Sequence, residues 1–173
     1  MTPLILHPDC ANGPIDTISA AIKPTSNGCS ADFYVNGDLG EIVIPEQKAP
    51  ARQDDLWKTT CFEIFWQPHG DSAYREFNLS PSQQWACYDF DDVRRNGRDG
   101  AVEEIGIECN TADGALHLRA NIRADLSVPA DVALNAVIET TDGMLQFWAL
   151  KFDECAPEFH SPTCRAKHLA GRL

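Results

Sequence analysis

The fold of this protein is decided by residues 61–79, CFEIFWQPHGDSAYREFNL. In the first six residues of this stretch the apolar side chains Phe62, Ile64 and Trp66 fall at every second position, so they point to one face of a strand. The last six residues alternate in the same way, and the turn-forming sequence PHGD lies between the two segments. The stretch therefore predicts an antiparallel hairpin with one apolar face.

The opposite face of the predicted hairpin carries polar side chains between aromatic rings. Matching the two apolar sets brings Glu63, Glu76 and Asn78 together, with Phe65 and Tyr74 beside them. Carboxylate and amide groups offer directional hydrogen bonds to sugar hydroxyls, and aromatic rings stack on the C–H faces of pyranoses. A solvated polar face of an antiparallel sheet has the same residue pattern and binds nothing. Both interpretations remain open at this point.

The next predicted strand, at 85–90, contributes to the same sheet. Alternation alone leaves its orientation open, so either Trp85 and Cys87 or Tyr88 and Phe90 join the polar face.

The rest of the chain repeats this pattern of short strands and turns. Asn-Gly and Asp-Gly dipeptides, which favour tight turns, recur along the sequence, and no window of helical length has an apolar stripe. Further segments rich in β-branched and aromatic residues lie at 31–35, 41–44, 115–122, 132–140 and 145–152. We therefore predict one all-β domain over residues 1–173, a two-sheet antiparallel β-sandwich or jelly roll of about ten strands.

Charge and cysteine content exclude several classes of function. The 14 Lys and Arg residues face 26 Asp and Glu residues, which gives a net charge of −12. We expect no nucleic-acid partner, since that would require clustered basic side chains. We also expect no membrane partner, since neither such a cluster nor a long apolar segment is present. The seven cysteines are scattered without a Cys-x-x-Cys pair, and no signal peptide is evident. We therefore expect free thiols in a cytoplasmic protein.

Several runs of sequence match the pattern of a known family. They are LWKTTCFEIF at 56–65, YREFNLSPS at 74–82, WACYDF at 85–90, IETTDG at 138–143, FWAL at 147–150 and PEFH at 157–160. These runs resemble the bacterial DOMON-like proteins, which are related to type 9 carbohydrate-binding modules, and the resemblance extends over nearly the whole chain. It implies a β-sandwich whose concave face or rim binds sugars or, in some relatives, haem.

The resemblance also implies roles for individual residues. In type 9 modules a tryptophan six positions before the strand glutamate lies at the sugar, and Trp57 and Glu63 have this spacing. An arginine on the next strand of those modules corresponds to Asn78, whose amide cannot offer a charged fork. The modules also clamp the sugar with a second, late tryptophan. Here the second wall is expected from Phe159, His160 or Trp85.

The resulting prediction is a non-catalytic domain that binds a small saccharide or a saccharide-containing metabolite. Trp57 would stack on the sugar ring, polar strand residues would bond its hydroxyls, and Arg52 would anchor an anionic ligand. The candidate ligand-binding residues are Trp57, Glu63, Glu76, Asn78, Trp85, Phe159, His160 and Arg52.

Three alternatives remain. A glycosidase would use Glu63 and Glu76 as its carboxyl pair. A haem-binding domain would need a methionine and a histidine as axial ligands, as in haem-binding DOMON relatives, and the sequence offers Met1, Met144 and His160. A protein-interaction module would use none of these groups. The exposure of Trp57 separates a ligand-binding domain from an interaction module. An exposed Trp57 in a groove favours a bound ligand, and a Trp57 buried in the core does not.

One acidic cluster is a candidate metal site. Asp89, Asp91 and Asp92 could hold structural calcium, but they lack the glycine and glutamate of an EF-hand loop. The five histidines lie far apart in the sequence and have no zinc-site spacing. We therefore expect a solvated turn at the aspartates and no bound metal.

Overall fold

The computed structural model describes residues 1–153 and 157–171, so Cys155 lies outside the described part of the chain. The described cysteines are free thiols. The strands are β1 Thr2–Leu6, β2 Ile15–Thr25, β3 Gly28–Gly37, β4 Cys61–Pro68, β5 Tyr74–Leu79, β6 Trp85–Phe90, β7 Arg98–Asp99, β8 Glu104–Ala112, β9 Ala115–Arg123, β10 Ala130–Glu139, β11 Leu145–Ala149 and β12 Lys167–Leu169. The predicted all-β fold is confirmed.

Helical structure in the described residues consists of three single-turn 3-10 helices, Leu39–Glu41, Leu56–Lys58 and Pro162–Cys164. No helix in this part of the chain is long and apolar enough to cross a membrane. The strand expected at 41–44 is absent, and only Ile42 makes an isolated bridge to Thr140. Asp38 is the N-cap of the first of these helices, and its side chain accepts a hydrogen bond from the Gly40 amide.

The strands form one continuous antiparallel sheet in the order β7-β6-β5-β4-β10-β11-β1-β2-β3-β9-β8, and β12 also pairs with β10. Strand β1 joins the two halves, since Leu4 pairs with Ile18 of β2 and Ile5 pairs with Ala149 of β11. The predicted arrangement of two separate sheets, as a sandwich or jelly roll, is therefore not confirmed. The apolar run Leu4-Ile5-Leu6 is only three residues long and is soon followed by Pro8, so it did not reveal β1 as a strand.

The sheet is strongly curled. The rings of Phe33 on β3 and Phe62 on β4 are 5.0 Å apart, although five strand spacings separate β3 from β4 in the sheet order. In a flat sheet those spacings of about 4.8 Å would hold the strands roughly 24 Å apart. Curling therefore brings the inner faces of the two halves together around one apolar core.

The β4–β5 hairpin has the register expected from the sequence. Phe62 lies opposite Leu79, and Ile64 lies opposite Phe77. All four side chains are buried in the core. Since successive strand residues point to opposite faces, this register sends the polar residues of β4 and β5 to the outer face of the sheet.

Candidate functional site

The outer face of β4 and β5 brings the predicted polar residues together. Glu63 lies directly opposite Asn78, and Phe65 lies opposite Glu76. The exposed fractions of Glu63, Glu76 and Asn78 are only 3%, 6% and 0%. These side chains are therefore not a solvated sheet surface, because the chain at 157–165 packs across the same face through Phe159 and Cys164.

A cavity of about 530 Å³ lies over this face. Five of the residues predicted from the sequence line it: Trp57, Glu63, Glu76, Phe159 and His160. The remaining lining is mainly aromatic, with Tyr88 and Phe90 from β6 and Phe147 from β11. The cavity thus combines aromatic walls with carboxyl groups at its floor.

Trp57 lies at the cavity with 48% of its surface exposed. It belongs to the 3-10 helix Leu56–Lys58, which is anchored to the protein by the buried side chain of Leu56. The Lys58 ammonium lies 5.5 Å from the centroid of the Trp57 ring. An exposed tryptophan beside a cavity is the arrangement that discriminates a ligand-binding domain from a protein whose aromatic residues only fill the core.

The two carboxyl groups at the cavity floor are held in an environment that disfavours ionisation. Burial, and then repulsion from Glu76, raise the pKa of Glu63 well above its usual range. Burial also raises the pKa of Glu76, against the opposing effect of its hydrogen bond from Asn78. Within residues 1–153 and 157–171, Glu63 makes no ion pair. Arg94, at the cavity rim, is paired instead with Glu158.

A hydrogen-bonded chain fixes His160 beside Glu76. The Arg94 backbone amide donates to the Tyr74 hydroxyl at 3.2 Å, and that hydroxyl lies 2.7 Å from His160 Nδ1. Burial, followed by the nearby charge of Arg94, lowers the pKa of His160 to about 4. Nδ1 of the neutral ring thus accepts a hydrogen bond from the Tyr74 hydroxyl, and Nε2 carries the ring proton. Because the ring is neutral, the 3.6 Å contact between Nε2 and Glu76 Oε2 is not an ion pair.

Asn78 lies beneath the cavity and not in its lining. It is fully buried and donates a 2.6 Å hydrogen bond from Nδ2 to Oε1 of Glu76. The Cys61 thiol lies 3.8 Å from its Oδ1. The amide therefore positions the Glu76 carboxyl group, and this is the place where the sequence resemblance expects an arginine.

Trp85 and Arg52 are not brought to the cavity. Trp85 points to the inner face of β6 with Cys87 and packs against the main core, so Tyr88 and Phe90 are the rings of β6 that face the cavity. Arg52 pairs with Asp54 and Asp99, and its guanidinium carbon lies 5.3 Å from the centroid of the Tyr88 ring, behind the cavity wall.

Sequence reasoning missed Arg94, Glu158 and Phe147, which also line the cavity. Arg94 lies in a charged stretch with Arg95 and Arg98, and nothing local in the sequence distinguishes it from these two residues. Glu158 lies in the run PEFH at 157–160 that carries the family resemblance. The resemblance therefore pointed to this segment, but it gave no role to Glu158. Its bidentate pairing with Arg94 depends on two loops 64 residues apart in sequence.

The candidate cofactor sites fit their ligands poorly. Asp89 is engaged by Arg75 at 2.6 and 2.9 Å, Asp91 by Arg98 at 2.7 Å, and Asp92 by the amide of Val93. For haem, His160 has both ring nitrogens facing protein groups. Met1 and Met144 are both largely exposed and neither lines the cavity that contains His160, so the described residues of this cavity do not include the expected axial pair.

The comparisons with known proteins rest on structure. No protein-family model matches the sequence, and no curated protein matches it significantly. A solved structure from Bacteroides uniformis ATCC 8492, described as a putative carbohydrate-binding protein, superposes with a TM-score of 0.64. The match covers 94% of this chain and 82% of that chain at 15% sequence identity. The two chains share a fold.

Proposed function

We propose that this protein is a non-catalytic domain that binds a small saccharide or a saccharide-containing metabolite. The observation that carries the proposal is the combination, in one cavity, of the exposed ring of Trp57 with the buried carboxyl groups of Glu63 and Glu76. The cavity volume of about 530 Å³ falls within the range of roughly 300–1,000 Å³ typical of small-molecule sites.

The chemistry of the cavity suits a polyhydroxylated ligand. A carboxyl group accepts hydrogen bonds from sugar hydroxyls in either protonation state and also donates one when it is protonated, so Glu63 and Glu76 complement hydroxyls without a charge on the ligand. Aromatic rings at Trp57, Tyr88 and Phe90 offer flat apolar surfaces for the C–H face of the sugar. In the described part of the chain Glu63 makes no ion pair that a ligand would have to displace, and the Asn78 amide bonds only Oε1 of Glu76.

A glycosidase is separated from the binding domain by its product. A retaining glycosidase needs one ionised nucleophile and one protonated acid. Burial raises the pKa of both Glu63 and Glu76, and the charge of Glu76 raises that of Glu63 further. Incubation of the protein with its saccharide is therefore expected to yield no hydrolysis product if the protein only binds it.

Two further observations support a carbohydrate ligand. The Bacteroides protein that shares the fold is described as a putative carbohydrate-binding protein, and at 15% identity this likeness concerns the fold alone. The sequence resemblance to DOMON-like proteins and type 9 modules points in the same direction, and its Trp57–Glu63 pair lies at the cavity.

The decisive test is a thermal-shift screen of the purified protein against mono- and disaccharides, cell-wall fragments, nucleotide sugars and haemin. A ligand at a hundred times its Kd stabilises by about 2.7 kcal/mol, which raises Tm by roughly 5–10 °C for a chain of this size. We expect such a rise with one saccharide class, and no hydrolysis product on prolonged incubation. A rise with haemin alone, accompanied by a Soret band, would replace the saccharide by haem.

Trp57→Ala is expected to weaken saccharide binding about ten- to a hundred-fold, because loss of a tryptophan anchor costs about 1.4–2.7 kcal/mol. Isothermal titration of the ligand found in the screen measures this change. Tyr34→Ala is the matched control, since this ring stacks on His117 away from the cavity. Equal affinity of the Trp57 variant and the wild type would show that the ligand binds elsewhere.

A further inference from the structure

Three residues that are far apart in the sequence meet beyond the end of the cavity. His69 follows β4, Asp131 lies on β10 and His168 lies on β12. Strand β10 pairs with both neighbours, since Ala130 lies opposite Pro68 and Asp131 lies opposite His168. The sheet therefore fixes the three positions side by side, and none of the three lines the cavity.

The side chains of this cluster converge on the Asp131 carboxylate. His69 Nδ1 lies 2.7 Å from one carboxylate oxygen, and His168 Nδ1 lies 2.8 Å from the other. One ligand atom from each residue lies within 4.8 Å of the other two. The backbone is held as well, since the His69 amide donates to the Pro129 carbonyl at 3.0 Å.

We propose that His69, Asp131 and His168 form a binding site for a divalent transition-metal ion such as Zn²⁺. Imidazole nitrogen and carboxylate oxygen are ligands that Zn²⁺ prefers, and three protein ligands leave a fourth position open for water or another ligand. In a tetrahedral site with bonds of about 2.0–2.1 Å, ligand atoms lie roughly 3.3 Å apart. The two exposed imidazoles reach that spacing by small side-chain rotations.

Another histidine–aspartate pair of the protein shows what distinguishes this cluster. His117 lies 2.8 Å from Asp32, but Arg119 binds the same carboxylate oxygen at 2.8 Å. A guanidinium group at that oxygen repels a metal cation, and no second imidazole is placed there. At Asp131 both carboxylate partners are imidazoles, each of which binds a metal through a nitrogen without a proton.

The site is independent of the saccharide proposal. Asp131 lies four residues along β10 from Asn135, which is paired with Glu63, so roughly 13 Å separate the cluster from the cavity floor. Failure of one proposal therefore leaves the other standing.

Titration of the wild-type protein with Zn²⁺ alone tests the site. We expect one ion per chain and, at Zn²⁺ a hundredfold above Kd, a rise in Tm of roughly 5–10 °C. Mg²⁺ at the same concentration should produce no such rise, since it prefers an all-oxygen octahedral site. In NMR spectra the imidazole resonances of His69 and His168 should shift on addition of Zn²⁺, while those of His117 stay in place.

Variants separate this site from binding at the partly exposed thiols of Cys10 and Cys109. His69→Ala, His168→Ala and Asp131→Asn should each abolish the Zn²⁺-dependent rise in Tm, and His117→Ala should retain it. The wild-type NMR titration also covers the case of a variant that folds poorly. Unchanged His69 and His168 resonances at saturating Zn²⁺, or a full rise in the His69/His168 double variant, would overturn the proposal.

Discussion

Replacing Glu63 by glutamine is expected to stabilise the unliganded protein at pH 8 and to have little effect near pH 4. In the unfolded chain this carboxyl group ionises near a pKa of about 4.3. In the folded protein burial and the neighbouring Glu76 raise its pKa, so the proton is retained to higher pH. Unfolding above pH 4.3 therefore releases a proton, and the native state loses stability as the pH rises toward the folded pKa.

Glutamine has nearly the shape of the protonated glutamate but cannot ionise, so the variant escapes this loss. Each unit of pKa displacement corresponds to about 1.4 kcal/mol, which denaturant unfolding at several pH values detects readily. Glu108→Gln is the matched control, since Glu108 is exposed on β8 and should show no such pH dependence. Destabilisation of the Glu63 variant at pH 8 would mean that an ionised, favourably paired Glu63 stabilises the free protein.

The same substitution should weaken saccharide binding. Glutamine keeps one acceptor oxygen, but its amide nitrogen cannot accept a hydrogen bond as the hydroxyl oxygen of the protonated carboxyl group can, so a hydrogen bond to the ligand is lost. A variant that gains stability and loses affinity is the expected signature of a binding residue held at a cost to the fold. Loss of both properties would indicate a structural role for Glu63 instead.

Phe62→Ala is expected to lower the free energy of unfolding by about 3–5 kcal/mol. The Phe62 ring is fully buried and packs 5.0 Å from Phe33 of the other half of the curled sheet. Removing it deletes apolar contacts on both halves and leaves a cavity that the surrounding strands cannot fill. Tm should fall by roughly 6–20 °C, measured by calorimetry or circular dichroism.

Trp57→Ala provides the comparison for this stability effect. It removes a larger aromatic side chain, but one that is 48% exposed, and substitutions at such positions usually change stability by no more than about 0.5 kcal/mol. The two substitutions should therefore have different effects: Phe62→Ala should lower the free energy of unfolding, and Trp57→Ala should weaken ligand binding. A Phe62 variant as stable as the wild type would show that the two halves do not depend on this contact.

Much of the candidate site was predictable because it depends on local alternation. Glu63 and Glu76 share a face since each lies an odd number of positions from the apolar core residues of its own strand, and those apolar residues fix the register between the strands. The side of β6 that faces the cavity was not predictable. Residues 85–90 carry large rings at both parities, so alternation could not choose between Trp85 and Tyr88.

Other features depended on contacts between distant segments. No local sequence feature separates Arg52 from Arg94. In the structure Arg52 forms an ion pair with Asp54 behind the Tyr88 ring, whereas Arg94 lines the cavity and forms an ion pair with Glu158. The number of sheets depended on β1, a five-residue strand that hydrogen-bonds on both edges. No local sequence pattern predicts whether a short strand lies at the edge of a sheet or joins two groups of strands into one sheet.

The sequence by itself determined the all-β fold, the β4–β5 hairpin and the placement of Glu63, Glu76 and Asn78 on one face, because side-chain direction in a strand alternates with a period of two residues. Only the tertiary structure decided that this face is covered and its carboxyl groups desolvated, since covering it requires the chain at 157–165 to fold back across the sheet. The same applies to His69, Asp131 and His168. Their spacing in the sequence carries no signal, and strand pairing on both sides of β10 is what brings them within reach of one ion.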